Sequence, residues 1–233
     1  MPLRAVFLDI GNTLLDEVRS RYAIYADAAT RRGRPVDEAT MRARMGAVHR
    51  ELPPWIDGEY RYSDPWFRAF IARIFGAPGL GFDALEVERI TEELFATFES
   101  PETFRPFPGA VSLLRSLREA GLTIGVVSNW SARLERVLTA TELLPHFDFV
   151  LSSALEGVQK PDPEIFRRAL ARAEVDPGSA LHAGDHPELD VAAARAVGLQ
   201  AVLVDHRGAF GDEEPQCARN LAELEGMLLE RAP

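Results

Sequence analysis

Asp9 follows the apolar run Ala5-Val6-Phe7-Leu8, and Ser128 follows Ile124-Gly125-Val126-Val127. Lys160 lies in a proline-flanked loop, and Asp185 and Asp190 come just after Ala180-Leu181-His182-Ala183-Gly184. Together these types suit one chemistry: a carboxylate nucleophile, two groups that bind an oxyanion, and a carboxylate pair able to hold a hard cation. Singly, each has a plainer explanation. An Asp after a strand is usually a turn or cap residue, Ser128 can cap a helix that follows it, and a lone Lys is normally solvated. They act as a site only if the fold gathers them, as the carboxyl ends of parallel strands do in an open α/β sheet.

The elements needed to gather them are readable in the periodicity. Residues 4–9 read as a short buried strand ended by Gly11-Asn12. From Asp16 to Thr103 the pattern turns helical, with candidate helices at 19–32, 37–50, 65–75 and 84–98. Strong breakers separate them, Gly33-Arg34-Pro35, Leu52-Pro53-Pro54 and Gly76-Ala77-Pro78-Gly79, and no strand stands out. After Pro106 strands and helices alternate: helix 111–120, strand 122–127, helix 131–141, strand 147–151, helix 163–173, strand 180–183, helix 187–197 and strand 199–204. Alternation of this kind implies a parallel sheet covered on both faces. The first strand belongs to the same sheet, so the helical block is inserted after strand one.

Composition bounds the partners. The 233 residues are 46% hydrophobic and 27% charged, ordinary for a soluble globular chain. A formal net charge of -10 argues against nucleic acid or an anionic membrane as the main partner. Cys217 is the only cysteine, which excludes an intrachain disulfide and a cysteine-based metal site. No signal peptide and no run long enough for a membrane span is found, so a cytoplasmic location is expected.

Four segments resemble the motifs of the haloacid dehalogenase-like hydrolase superfamily. Phe7-Leu8-Asp9-Ile10-Gly11-Asn12-Thr13-Leu14 looks like the first and Val126-Val127-Ser128-Asn129 the second. Gln159-Lys160-Pro161-Asp162-Pro163 is similar to the third, and Gly184-Asp185 with Asp190 and the small-residue stretch 192–198 to the fourth. Any one is weak; four in order are strong. The resemblance implies a Rossmann-like three-layer α/β core with a parallel sheet at residues 1–15 and 104–233, and an all-helical cap of the C1 type at residues 16–103.

It also implies a magnesium-dependent phosphatase acting on a small organic phosphate. A carboxylate can attack phosphorus to give an acyl-phosphate that water then hydrolyses, and Asp9 is the candidate nucleophile. Ser128, Asn129 and Lys160 would bind the phosphoryl oxygens. Asp9, Asp185 and the carbonyl of Gly11 would hold Mg2+, with Asp190 a further ligand or an orienting residue. The competing reading of Asp185 and Asp190, that they cap the next helix, explains one carboxylate better than two. A monomer or homodimer is expected.

Gly11 departs from the family pattern. Phosphatases of the superfamily carry there a second aspartate that protonates the leaving group and later activates water. Such help is worth about 10²–10⁴-fold in rate, so its loss slows a poor leaving group most and an aryl phosphate least. Three readings stand: a phosphatase, a metal-independent 2-haloacid dehalogenase, or a binding or regulatory protein that keeps the fold. The pair Asp185 and Asp190 argues against dehalogenation, because two neighbouring carboxylates repel unless a cation relieves them. A phosphonate-cleaving relative would need a cap lysine, and residues 16–103 contain none. His186, beside Asp185, is a candidate for the missing acid, weighed against an ordinary loop residue.

Some residues divide evenly or lean to structure. The Thr13 hydroxyl either braces the loop after Asp9 or caps the next turn. Tyr22, Tyr25, Trp55, Tyr60, Trp66 and Phe67 read as core of the insert, with a substrate role for one or two at most. Arg31, Arg32 and Arg34 read as a solvated cluster, Arg19 and Arg21 as weaker substrate contacts, and His49, His146, His182 and His206 as structural or solvated.

Overall fold

A computed structural model describes residues 2–210 and 216–232. Six strands form one parallel sheet: β1 (Ala5–Leu8), β6 (Thr123–Ser128), β7 (Phe149–Ser152), β8 (Ala180–Gly184), β9 (Gln200–Val204) and β10 (Cys217–Ala218). Their order is β10-β9-β8-β1-β6-β7, with β1 at the centre. Leu8 lies opposite both Val126 of β6 and Ala183 of β8, so three strand ends come level where the site begins. β1 is followed in space by β6 on one side and β8 on the other. This is the topological switch at which open α/β sheets place their crevice.

Side chains of β1 alternate faces as a strand must. Val6 and Leu8 join one apolar cluster with α5 (Ala110–Glu119), α6 (Leu134–Ala140) and α10 (Leu221–Leu229). Ala5 and Phe7 join the other, with α8 (Pro163–Ala173) and α9 (Ala193–Ala196). Both faces are covered, which is why β1 reads as an unbroken apolar run. The four-residue α7 (Ser153–Glu156) closes the β7 end.

Between β2 (Leu15–Glu17) and β5 (Phe104–Pro106), which pair antiparallel, the chain forms α1 (Arg21–Thr30), α2 (Glu38–Glu51), α3 (Asp64–Phe75) and α4 (Ala84–Glu99). Asp37 and Asp83 cap α2 and α4 by accepting from the Thr40 and Glu86 amides. These helices bury a separate apolar cluster that includes Trp66, Phe70, Ile74 and Phe75. The insert is helical except for a minimal hairpin of β3 (Trp55–Ile56) and β4 (Glu59–Tyr60), where Trp55 stacks edge-on to Tyr60. Two residues per strand are too few to leave an alternating pattern, so the sequence gives no sign of it.

Two other boundaries move. The expected helix 131–141 begins only at Leu134, so Ser128 does not cap it and instead ends β6. The expected helix 187–197 is a π-helical turn, Pro187–Ala192, running into α9. No helix among the described residues is long and apolar enough to cross a membrane.

Candidate active site

The Asp9 backbone N–H donates to the Ala183 carbonyl at 2.9 Å, which locks the end of β1 to β8. Beyond it the chain folds back tightly. The Ile10 carbonyl accepts from the amides of Thr13, Leu14 and Leu15, and Asn12 takes a left-handed conformation (φ 54°). His206 Nε2 donates to the Thr13 carbonyl at 3.0 Å, and its ring stacks on Phe107. The Thr13 hydroxyl is buried with no hydrogen-bond partner among the described residues, so neither bracing nor capping is seen for it.

Lys160 is the single lysine of the sequence, where the permanently charged basic side chains are otherwise arginine. A compact ammonium fits between two carboxylates in a way a planar fork does not. Its Nζ donates to Asp9 Oδ1 at 2.7 Å and to Asp190 Oδ1 at 2.5 Å, with all three side chains buried. Asn129 holds the loop: its Oδ1 accepts from the Lys160 amide at 2.8 Å and its Nδ2 donates to the Lys160 carbonyl at 2.9 Å. Both polar atoms of Asn129 are thus committed to the backbone of Lys160.

Asp190 is folded back onto the strand end by the π-helical turn, a feature often found at functional sites. Its Oδ1 also receives His182 Nε2 at 2.8 Å, and its Oδ2 receives the His186 amide at 3.0 Å. The approach is so close that a Cβ on Gly184 would lie 2.3 Å from Asp190 Cγ. His182 is the partner that sequence reasoning passed over. A histidine inside a buried strand looks merely structural, and only the π-helical turn brings Asp190 to it. His186 commits its Nδ1 to the amides of Glu188 and Leu189, capping its own turn.

Electrostatics follow from burial and charge. Burial pushes the Asp9 carboxyl up, against the pull of the Lys160 ammonium. For Asp190 burial works in the same direction, yet Lys160 and His182 outweigh it and hold its carboxyl below the usual range. Burial alone would favour neutral Lys160, but Asp190 and Asp9 keep it charged. Asp185 has no such cation of its own. Burial, then Asp9 and Asp190, push it up to about 7, with Lys160 and Asn12 opposing.

Carboxylate oxygens of Asp9, Asp185 and Asp190 lie within 4.8 Å of one another. Three hard oxygen donors, two of them raised by burial and by the charge of their neighbours, make a donor set that fits a divalent cation such as magnesium. Asp9, Gly11, Ser128, Asn129, Lys160, Asp185 and Asp190 all line one cavity of about 430 Å³ between the sheet end and the helical insert. Of the insert aromatics, Tyr22, Tyr25, Trp66 and Phe67 reach this cavity, whereas Trp55 and Tyr60 do not line it. Arg21 lines it too, bound to Glu17. Arg19 instead pairs with Asp27, Arg31 and Arg32 bind Glu93, and Arg34 binds the Leu80 carbonyl.

A family model described as haloacid dehalogenase-like hydrolase matches residues 3–198. The chain belongs to the haloacid dehalogenase-like hydrolases. Haloacid dehalogenase-like hydrolase domain-containing protein 3 of Bos taurus is 36% identical over 211 residues, covering 88% of this chain and 82% of that protein. A phosphoserine phosphatase of Thermus thermophilus is 32% identical over 246 residues, covering 94% of each. Among solved structures, a 2-haloacid dehalogenase from Pseudomonas syringae superposes with a TM-score of 0.71 at 27% identity, covering 99% of this chain and 100% of that one. Membership makes the chain a hydrolase, with both phosphatases and a dehalogenase among its haloacid dehalogenase-like relatives.

Proposed function

We propose that this hydrolase is a magnesium-dependent phosphatase that acts on a small organic phosphate through an aspartyl-phosphate on Asp9. The observation that carries the reading is the meeting of Asp9, Asp185 and Asp190 within 4.8 Å at the floor of a cavity. Carbon–halogen cleavage needs the nucleophile but gives no reason for Asp185, which burial and the charges of Asp9 and Asp190 push up more than Lys160 pulls it down. Asp9, Asp185 and the Gly11 carbonyl would hold the cation, which supplies offsetting charge for the phosphoryl group. Asp190 serves by orienting Lys160 and the turn after β8.

Lys160 keeps Oδ1 of Asp9 engaged, which leaves Oδ2 as the attacking oxygen. A bond forms from that oxygen to phosphorus as the ester bond breaks, and the leaving oxygen takes the electron pair. Water then attacks phosphorus, releases inorganic phosphate and regenerates the Asp9 carboxylate. Ser128 and Lys160 supply donors to the phosphoryl oxygens. In this reading residues 1–15 and 104–233 form the hydrolytic core, and residues 16–103 the cap that excludes water. A cytoplasmic monomer or homodimer goes with it.

The test is phosphate release from p-nitrophenyl phosphate by wild type and Asp9→Asn, with magnesium and with EDTA. Magnesium-dependent release lost in Asp9→Asn supports the reading. Halide release from a 2-haloacid without metal, and no phosphate release, overturns it in favour of dehalogenation, the chemistry named for the Pseudomonas syringae neighbour.

A further inference from the structure

The cavity above the carboxylates is walled by rings and offers few charges. Tyr25, Trp66, Phe70, Phe95, Phe98 and Trp130 line it, with Trp66 stacked on Phe70 at a centroid distance of 5.1 Å. The arginines that reach it, Arg21 from the insert and Arg133 from the sheet side, are already answered. Arg21 binds Glu17, and Arg133 binds Asp64 and Glu99. His49 and Tyr62 bond to each other at 2.9 Å, and burial together with Arg61 and Arg50 pushes the His49 imidazole below its usual range. An ammonium or carboxylate on the substrate body would lose its water here without gaining a free partner, a cost that disfavours it. A flat apolar ring would gain by burial and by edge or face contact with the wall.

Position 11 adds an independent constraint. A Cβ built on Gly11 lies 3.2 Å from Trp130 Cζ3, so the indole covers the ground where an acidic side chain would begin. His186 is committed to capping its turn and Glu99 to Arg133. Neither His186 nor Glu99 is therefore free to act as an acid within the cavity. The site suits an alcohol stable as its anion.

We propose that the preferred substrate is an aryl phosphate monoester, whose ring fills the aromatic cavity and whose phenolate departs unprotonated. The proposal rests on the phosphatase reading above. In the first step the Asp9 oxygen–phosphorus bond forms, the aryl oxygen–phosphorus bond breaks, and the electron pair stays on the phenolate oxygen. The phenolate takes its proton from solvent after release.

The experiment is a comparison of kcat/KM at saturating magnesium for substituted phenyl phosphates, benzyl phosphate and O-phosphoserine. Phenyl over benzyl isolates the leaving oxygen at nearly constant body, and benzyl over phosphoserine isolates the body. The expected results are a steep fall in rate as the phenol pKa rises, a phenyl-to-benzyl gap of about 10²-fold or more, and a KM for phosphoserine about 10–100-fold above that for benzyl phosphate. Gly11→Asp, if Trp130 yields the few tenths of an ångström needed, narrows the phenyl-to-benzyl gap. The leaving-group slope of wild type decides the matter even if that variant does not fold. A flat slope, or a preference for phosphoserine, overturns the aryl proposal and leaves the phosphatase reading standing. No phosphate release from any ester overturns both.

Discussion

Arg133 grips Asp64 with two parallel bonds, Nε to Oδ1 at 2.7 Å and Nη2 to Oδ2 at 2.6 Å. Arg133 belongs to the turn before α6, on the sheet side, and Asp64 opens α3 in the insert. The same guanidinium binds Glu99 at the end of α4 and lies over the Phe95 ring at 4.1 Å. One arginine thus ties two insert helices to the layer that carries Ser128. Planar, two-pronged pairing of this kind is geometrically demanding.

Arg133→Ala should loosen that tie. Because Asp64 is well exposed, the stability change is small, about 1 kcal/mol. The larger effect falls on catalysis, with kcat/KM down about tenfold and faster amide exchange in Asp64–Phe75. Arg133→Lys should recover less than half, since it cannot make both bonds. Unchanged kinetics in Arg133→Ala would remove the tie from any account of closure.

Lys160 gives a chemical probe free of background from other lysines. Buried and held by Asp9 and Asp190, it should stay unmodified by an amine-acylating reagent in the folded protein and react in urea, as peptide mass spectrometry would read. Lys160→Ala leaves two buried carboxylates without their cation, expected to cost about 3–5 kcal/mol in urea unfolding. Ready acylation of the native protein would contradict the burial.

Gly184→Ala places a methyl on Asp190. The carboxylate must move, and its bonds to Lys160, His182 and the His186 amide go with it. Overpacking of this sort costs about 1–3 kcal/mol. Turnover should fall by about 10²-fold or more, since a displacement of one ångström is enough for that. Near-normal turnover would show that Asp190 has no part in placing Lys160.

Asp185 sets a pH dependence with a defined sign. Its folded pKa of about 7 stands above the ordinary aspartate value of 3.8, so from about pH 4 to 7 the folded state holds the proton that the unfolded state has lost. Stability on its account therefore falls as pH rises through that window. In metal-free protein the melting temperature should drop by about 5–10 °C from pH 5 to 8, and Asp185→Asn should remove most of that drop. Saturating magnesium should raise the melting temperature more at pH 8 than at pH 6, because the ionised carboxylate is the form that binds. Equal magnesium shifts at both pH values would count against Asp185 as a ligand.

The sequence made Asp9 and Asp185 visible because each stands where an apolar run stops, and strand ends in a parallel sheet are forced together, while Lys160 stood out through its proline-flanked loop. The parallel sheet and the four insert helices were legible for the same reason, as periodicity. The role of His182 was not, since it depends on a π-helical turn that has no sequence signature comparable to a cap or a turn dipeptide. The plainer alternative for Ser128, a helix cap, fails because a turn at residues 132–133 comes before the helix. The insert aromatics were read as core, which Trp66 is, but a side chain at the rim of a packed cluster can also face a cavity.

The ion pair between Asp9 and Lys160 joins residues 151 positions apart. During synthesis the nucleophile therefore emerges long before its counter-charge, and a buried carboxylate without a cation is costly. The central strand of the sheet, made first, cannot be sealed until β8 and the Lys160 loop have arrived. Pulsed hydrogen exchange during refolding should accordingly find the amides of β1 among the last to be protected.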